Sequence, residues 1–252
     1  LGTVSGRATH SNPNLAQVPS IRAYKGKEAR HLFTVPKNKV LVAADLSGVE
    51  LRCLAHYIAK YDGGVYGRNI LDGDIHTVNQ KAAGLPTRDT AKTFIYATLY
   101  GGGDAKIGSI VGKGAKEGRK LKQKFAGSIK GFRELSEGVK KAAKRGYLIG
   151  ITGRRLYIRS SHSALNTLLQ SLGSYISKYW ILEVHKRLKE ENITAKQIAW
   201  VHDEIEFECL KEDSDKVSKI LEESSLKAGE IMGIRMPIHS EAQIGRSWDE
   251  VH

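Results

Sequence analysis

Two apolar stretches rich in β-branched residues predict the buried strands of this chain. Residues 40–46 read VLVAADL, and residues 198–210 read IAWVHDEIEFECL. Continuous apolar runs of this length are typical of strands inside a core. The polar triplet His-Asp-Glu interrupts the second run, which predicts two strands joined by a tight turn. Beyond the turn, Glu206 and Glu208 alternate with apolar residues, the pattern of a half-buried strand.

Apolar residues at helical spacing predict most of the remaining elements. The predicted helices cover residues 49–61, 77–83, 88–100, 108–144, 163–190 and 213–232. Residues 146–160 alternate about a Thr-Gly pair and predict a hairpin, while residues 236–244 predict a last strand. Residues 1–35 contain two X-Pro pairs and residues 61–73 are rich in glycine, so both predict loops. This order of strands and helices indicates an α+β fold.

One predicted helix carries a row of charged and aromatic side chains. The row consists of residues four positions apart, Arg88, Lys92, Tyr96 and Tyr100. This spacing keeps them on one helix face, about 6 Å from one to the next, and we name them the cation–ring row. Two cations followed by two rings match the phosphates, sugar and base of a nucleoside triphosphate. The spacing equally suits a solvated basic turn followed by core tyrosines, so the residues alone leave both interpretations open.

Basic residues outnumber acidic ones, with 40 Lys and Arg against 27 Asp and Glu, a formal charge of +13. Such an excess favours a polyanionic partner, and nucleic acid is the first candidate. The alternative is that the positive charge serves only solubility. Cys53 and Cys209 have no neighbour at metal-ligand spacing and suit a reducing cytosol. No apolar run reaches about 18 residues and no signal peptide is visible, so we expect a cytoplasmic protein without a membrane partner.

Two aspartates stand where the predicted strands end. Asp45 is near the end of the first strand, and Asp203 lies in the turn of the second run. If the strands lie side by side the carboxylates meet, and like charges that close need a cation. Oxygen-only ligands favour Mg²⁺, and two such ions about 3.5–4 Å apart promote in-line phosphoryl displacement. Together with the cation–ring row, the aspartates indicate nucleotidyl transfer, and a plain hairpin turn is the alternative for the polar triplet.

Five stretches resemble, in the same order, the motifs of family A DNA polymerases, the bacterial DNA polymerase I type. They are SGRATHSNPNLAQVP, LVAADLSGVELRCLAH, RDTAKTFIYATLYGGG, NTLLQS and VHDE. Each motif is modest alone, but together they are specific and extend over nearly the whole chain. Within the family, the chain most resembles the replicative polymerases of podoviruses. An infected bacterial cytoplasm is therefore the expected location.

The resemblance implies roles for the acidic residues. Asp45 and Asp203 would hold two Mg²⁺ ions, and the backbone carbonyl of Leu46 would be a further ligand. Glu204 would be an auxiliary catalytic carboxylate.

The resemblance also implies roles in binding the incoming dNTP. Arg88 and Lys92 would bind the triphosphate, with Lys92 assisting departure of pyrophosphate, and His76 would touch the phosphates. Tyr96 would lie against the sugar and Tyr100 near the templating base.

Glu50 has two expected roles. Three residues after Ser47, it can complete a helix-capping box. The resemblance makes it, with Tyr96, a steric gate against a 2′-hydroxyl group. The expected contacts with primer–template DNA come from arginine, amide and histidine side chains: Arg7, Asn14, Arg154, Asn166, Gln170 and His202.

The resemblance predicts a right-hand polymerase palm, residues 1–84 and 146–252, with helical fingers, residues 85–145, inserted between its parts. Family members carry a thumb and usually an exonuclease-type domain before the first motif, and we expect neither in this chain. A palm without a thumb should hold DNA weakly, because phosphate contacts are lost. One hypothesis is that a second polypeptide supplies the thumb and exonuclease; a fragment of a longer polymerase is the other.

Functions of other classes remain as alternatives. A catalytically idle DNA-binding or partner-docking subunit derived from a polymerase is the first, although both aspartates and Lys92 argue against it. An RNA polymerase or reverse transcriptase is the second. The predicted gate residues favour a DNA product, and the His-Asp-Glu triplet differs from the twin-aspartate turn of reverse transcriptases.

Overall fold

The computed structural model of the chain describes residues 3–73 and 75–252, without the side chains of residues 75 and 76. Its helices are Gly26–His31 (α1), Val49–Asp62 (α2), Val65–Asp72 (α3), Ile75–Ala83 (α4), Arg88–Leu99 (α5), Asp104–Ser109 (α6), Ala115–Ser128 (α7), Phe132–Ala143 (α8), Ala164–Glu190 (α9) and Ser214–Ile231 (α10). Its strands are Lys39–Leu46 (β1), Tyr147–Ile149 (β2), Arg155–Tyr157 (β3), Ala195–Val201 (β4), Glu204–Leu210 (β5) and Ser240–Gly245 (β6). Among the described residues, no helix is both long enough and apolar enough to cross a bilayer.

Four antiparallel strands form the main sheet, in the order β4-β5-β1-β6. β1 is an inner strand, between β5 and β6. Its residues 40–44 are buried, and the two neighbouring strands provide the hydrogen bonds that a buried backbone needs. Helix α10 packs against β1 and β6. It is joined to α9 by Trp180, which donates its indole Nε1 to the carbonyl oxygen of Leu221 at 2.7 Å.

The strand register gathers acidic residues on one face of this sheet. Asp45 of β1 lies opposite Glu204 of β5 and Glu241 of β6. Residues that are directly opposed in an antiparallel pair point to the same face. The register therefore fixes three carboxylates on one side of the sheet.

Three phenylalanines form the core around α5. Phe94 of α5 meets Phe125 of α7 with ring centroids 5.6 Å apart, and Phe125 meets Phe132 of α8 at 5.1 Å. Both contacts are edge-to-face, an arrangement that adds about 0.5–1.5 kcal/mol per pair beyond burial. This core fixes the helix that bears the cation–ring row.

The chain divides into two compact units. The first unit contains Leu1–Val49 and Gly173–His252 and includes the four-stranded sheet, and the second is Glu50–Leu172 and includes α3 to α8 and the β2–β3 hairpin. Asp45 and Asp203 lie in the first unit, and the cation–ring row lies in the second. The finer palm and fingers boundaries expected from the sequence stay a prediction.

The predicted α+β class is confirmed, since an antiparallel sheet and separate helices make up the fold. The predicted strand at residues 40–46 is confirmed as β1, and the run at residues 198–210 forms β4 and β5 around a turn. The predicted hairpin at residues 146–160 is confirmed as β2 and β3.

The loop predicted at residues 61–73 is wrong, because α3 occupies most of it. The glycines lie only at the connection, where Gly63 and Gly64 adopt φ values of +65° and +83°. The following Tyr66 and Ile70 are four positions apart and both buried, which is the spacing of a helix face.

The loop predicted for residues 1–35 is also wrong in part, because α1 forms within it. Both X-Pro pairs precede this helix and so do not interrupt it. Arg30 of α1 donates its Nε to the carbonyl oxygen of Pro19 at 2.9 Å, which fastens the helix to the preceding loop.

Candidate active site

The two predicted metal ligands lie at the same end of two paired strands. Leu46, the last residue of β1, donates its backbone N–H to the carbonyl oxygen of Asp203 at 3.0 Å, and Asp45 lies opposite Glu204. The fold therefore brings together two aspartates that are far apart in the chain. We name this place, formed by Asp45 and Asp203, the carboxylate edge.

A two-residue turn between β4 and β5 presents Asp203. His202 has a positive φ of 59°, which is uncommon for a residue other than glycine. Trp200 supports this conformation, since its indole Nε1 donates to the carbonyl oxygen of His202 at 2.9 Å. The turn leaves His202 exposed and Asp203 half-buried beside the end of β1.

Glu204, next to the carboxylate edge, is buried and strongly bonded. Its Oε1 accepts the indole Nε1 of Trp248 at 3.1 Å and lies 2.9 Å from Nε2 of His252. Burial opposes ionisation of this carboxyl, but the hydrogen bond and charge of His252 outweigh it and hold the pKa of Glu204 below its ordinary value. Glu204 therefore remains a carboxylate at neutral pH.

Glu206 departs from the half-buried strand that the sequence predicts. Its side chain is only 3% exposed, so both faces of β5 are covered here. The cover comes from Trp248, with the guanidinium carbon of Arg30 4.3 Å above the Trp248 ring. Burial, and next the charge of Glu204, raise the pKa of Glu206 to about 9.

A cavity of about 230 Å³ opens beside the carboxylate edge. Its polar lining consists of Asp45, Ser47, Glu204, Glu241, Gln243 and His252. Three carboxylates around one small cavity produce a negative potential that favours cations. Oxygen donors dominate this lining, and that donor chemistry suits Mg²⁺ at the edge.

Polar side chains beyond the last strongly patterned helix complete this site and were not predicted from the sequence. They are Glu241, Gln243, Trp248 and His252. A tryptophan within the polar ending RSWDEVH is the one local signal that marks the segment. Their placement beside Asp45 and Glu204 depends on strand pairing, which no local pattern shows.

The cation–ring row lies on α5 of the second unit. Thr87 caps this helix, since its Oγ1 accepts the backbone N–H of Thr90 at 3.1 Å. The opposite face of the helix is apolar and buried. Along the row, Arg88 and Lys92 are exposed, and Tyr96 is half-buried. The predicted helix and cap are confirmed, and the nucleotide-binding roles stay predictions.

Glu50 is close to the end of the row within the same unit. Tyr100 donates its hydroxyl group to Oε1 of Glu50 at 3.4 Å. Tyr96, the other predicted gate residue, lies one helical turn before Tyr100. The geometry thus gives Glu50 a second tyrosine partner in addition to the one expected from the sequence. The side chain of His76 lies outside the described residues.

The predicted DNA contacts fall in both units. In the first unit Arg7 is half-buried, and Asn14 is exposed like His202. In the second, Arg154 is exposed on the hairpin, and the amides four positions apart on α9, Asn166 and Gln170, are half-buried. The DNA-binding roles of these residues stay predictions.

The N-terminal segment is attached to the first unit at two points. His10 Nε2 lies 2.8 Å from the carbonyl oxygen of Trp200, and Lys178 Nζ donates to the carbonyl oxygen of Gly6 at 2.6 Å. The segment that contains Arg7 and Asn14 is therefore an ordered loop beside the β4–β5 turn.

The antiparallel sheet thus carries both aspartates at one end of its two inner strands, β1 and β5. The sequence profile of DNA polymerase family A matches residues 1–250, and the chain belongs to this family. The resemblance drawn from the five motifs is thereby confirmed.

Phage and bacterial relatives agree with this assignment. The chain is 41% identical to the DNA-directed DNA polymerases of Enterobacteria phage T3 and Escherichia phage T7, covering all of this chain and 40% of each relative. It is 29% identical to DNA polymerase I of Pseudomonas aeruginosa, over 98% of this chain and 29% of the relative. The chain thus spans about two fifths of the length of the phage polymerases that it matches.

A solved structure has the same fold. The POL domain of Pol1 from M. smegmatis, in complex with DNA primer-template and dNTP, matches 99% of this chain and 47% of its own, with a TM-score of 0.88 and 25% identity. The predicted polymerase-domain fold is therefore confirmed.

Proposed function

We propose that the chain is the palm and fingers part of a template-directed DNA polymerase that transfers nucleotides from dNTP to a primer 3′-hydroxyl group. The observation that carries the proposal is the convergence of Asp45 and Asp203, whose strands are joined by the 3.0 Å hydrogen bond between Leu46 and Asp203. It is supported by membership of DNA polymerase family A.

Asp45, Asp203 and the backbone carbonyl of Leu46 would hold two Mg²⁺ ions at the carboxylate edge. The pair of acidic side chains fits these ions, because Mg²⁺ prefers oxygen ligands and a cation relieves the repulsion between neighbouring carboxylates. Such ions, when bound, stabilise the attacking and leaving oxygens of an in-line displacement. Glu204, held ionised by His252, adds negative charge next to them.

The cation–ring row would hold the incoming nucleotide. Arg88 and Lys92 are exposed cations one turn apart and suit a triphosphate, and Lys92 would give a proton to the departing pyrophosphate. Tyr96 and Tyr100 would contact the sugar and base, with Glu50 and Tyr96 excluding a 2′-hydroxyl group. The row lies in the second unit.

Primer–template DNA would bind through backbone contacts and minor-groove amides. Arg7 and Arg154 suit phosphates, and Asn166 and Gln170 suit the acceptors of base edges in the minor groove. The net charge of +13 favours the same partner. The similarity to T3 and T7 polymerases supports a role in phage DNA replication in the cytoplasm of the infected host.

Single-turnover incorporation tests this function without requiring processivity. The chain, in excess over a labelled primer–template, is mixed with Mg²⁺ and the next correct dNTP. We expect extension by one nucleotide that depends on the template base and stops when EDTA is added. DNA binding without any incorporation, with the partner described next also present, would instead indicate an idle subunit.

We further propose a test that separates the two hypotheses of the sequence analysis, a second polypeptide that supplies a thumb and an exonuclease, and a longer polymerase of which this chain is a fragment. Co-purification from the infected host should recover the partner, and adding it should lengthen the products made per binding event. Processive synthesis by this chain alone would contradict the split arrangement.

A further inference from the structure

A second group of ligating side chains lies behind the carboxylate edge, in the same unit. Among the described residues, Glu204, Glu206 and His252 each place one oxygen or nitrogen within 4.8 Å of the others. Two carboxylates and an imidazole form a donor set of Zn²⁺, whereas Mg²⁺ prefers oxygen alone. We propose that this trio, the zinc cluster, binds one Zn²⁺ ion in addition to the ions expected at the carboxylate edge.

Glu206 provides the observation that calls for a ligand. Its side chain is 3% exposed, and its Oε1 has no hydrogen-bond partner among the described residues. A buried polar atom without a partner costs about 1–3 kcal/mol, and more when it carries charge. Native folds therefore supply a partner to such atoms, and a cation held by the zinc cluster is a suitable one.

The charges around the zinc cluster also favour a divalent cation. Two carboxylates face each other there, and Arg30 is the cation that acts on Glu206 from α1. Repulsion between the two glutamates can be relieved by a proton or by a metal ion, and the metal displaces the proton when it binds.

The three ligand atoms, which lie within 4.8 Å of one another, need to approach only slightly to hold one ion. Zn²⁺ bonds to nitrogen and oxygen are about 2.0–2.2 Å long, so ligand atoms of one tetrahedral shell lie about 3.4 Å apart. Glu204 and Glu206 are fixed by the pairing of β5 with β1 and β4. His252 is partly exposed and can move toward them. Trp248, which donates to Glu204 at 3.1 Å, orients that carboxylate.

Equilibrium dialysis against Zn²⁺, without DNA or dNTP, tests the zinc cluster. The protein carries Asp45→Ala and Asp203→Ala, which remove the carboxylate edge. We expect it to bind one Zn²⁺ per chain. Adding Glu206→Gln, which keeps the shape and hydrogen bonds of a protonated glutamate, should weaken binding at least tenfold. Glu208→Gln, on the same strand but paired with Lys39 at 2.6 Å, is the matched control and should retain the ion.

His252→Ala gives a second variant in case Glu206→Gln does not fold, and it should weaken Zn²⁺ binding to a similar extent. The proposal is overturned if the Asp45→Ala, Asp203→Ala protein binds no Zn²⁺, or if it still binds the ion after Glu206→Gln and after His252→Ala. Because the measurement contains no DNA and no dNTP, its result is independent of whether the chain polymerises.

Discussion

Glu204 and Glu206 are the same residue type on one face of β5, yet their surroundings shift the pKa values of their carboxyl groups in opposite directions. Bonds from His252 and Trp248 hold Glu204 ionised, whereas burial raises the pKa of Glu206 to about 9. Without a bound cation, Glu206 therefore keeps its proton at neutral pH while Glu204 does not. Because only one of the two carboxyl groups is charged, they can lie close together in a buried place although they are two positions apart on the same strand.

Glu50 offers a prediction at the scale of one residue. Replacing it by alanine removes the acceptor of the Tyr100 hydroxyl group and the proposed barrier to a 2′-hydroxyl group. We expect the preference for dNTP over rNTP to fall at least tenfold, about 1.4 kcal/mol in transition-state discrimination. The measurement compares kcat/KM for matched dNTP and rNTP incorporation.

Tyr100→Phe is the control for this change, because it removes the hydrogen bond but leaves Glu50 in place. Its preference for dNTP should stay close to that of the unmodified chain. If Glu50→Ala leaves the preference unchanged as well, Glu50 is only a helix cap.

Among the helices and strands, those with a clear local pattern of apolar residues were predicted from the sequence. The apolar runs that became β1, β4 and β5 are continuous, and α9 has apolar residues at every turn. α3 could not be predicted from glycine content, because Gly63 and Gly64 form only its entry. The burial of Glu206 was equally hidden, since it comes from Trp248, which is distant in sequence and reaches the sheet by folding.

An ion-pair network joins α6 to α7 and gives a pH-dependent prediction. Asp104 bonds Lys122 Nζ at 2.9 Å and Arg119 Nε at 3.1 Å, and these bonds, Lys122 first, lower the pKa of Asp104. A lowered folded-state pKa stabilises the fold above the unfolded value near 3.8, and that gain is lost as the pH falls through the folded value. Asp104→Asn should therefore lower the free energy of unfolding at pH 7 by about 1 kcal/mol or less, because the network is exposed.

Urea denaturation at pH 7 and at about pH 3 measures this effect. The difference between Asp104→Asn and the unmodified chain should shrink at the lower pH. Glu134→Gln, which also removes a charge from the first turn of a helix, is the matched control and should change less. A difference that grows on acidification would show that the network does not act through the charge of Asp104.

At the scale of the whole molecule, the positive charge predicts DNA binding that depends steeply on salt. Each phosphate contact that is lost should reduce the slope of log K against log salt by about 0.9. Arg154→Ala, on the exposed β2–β3 hairpin, should reduce the slope by this amount and weaken binding to all sequences alike. Fluorescence anisotropy across a salt series gives the slope.

Lys216→Ala on α10 removes one exposed charge that is not among the predicted DNA contacts, and it should leave the slope nearly unchanged. If both variants reduce the slope equally, net charge rather than a contact by Arg154 accounts for the affinity.

For the molecule as a whole, the sequence predicted only those parts of the site that lie in the recognised motifs. The strand pattern suggested that the segments of Asp45 and Asp203 lie side by side, and the pairing of β1 with β5 places their backbones next to each other, while their metal-binding roles stay predictions. The sequence did not single out Glu241 and His252, which line the cavity beside Asp45, or Trp248, which donates a hydrogen bond to Glu204. Apolar periodicity cannot predict such residues, because their position depends on contacts between segments far apart in the chain.

A single-turnover comparison of two variants tests the proposal that Asp45 and Asp203 together perform nucleotidyl transfer. Asp203→Ala should lower the rate of single-nucleotide incorporation by about three orders of magnitude or more, about 4 kcal/mol of barrier, while DNA affinity is retained. Asp215→Ala, an exposed acid in the first turn of α10, should leave the rate unchanged. Incorporation by Asp203→Ala at the rate of the unmodified chain would exclude a catalytic role for Asp203.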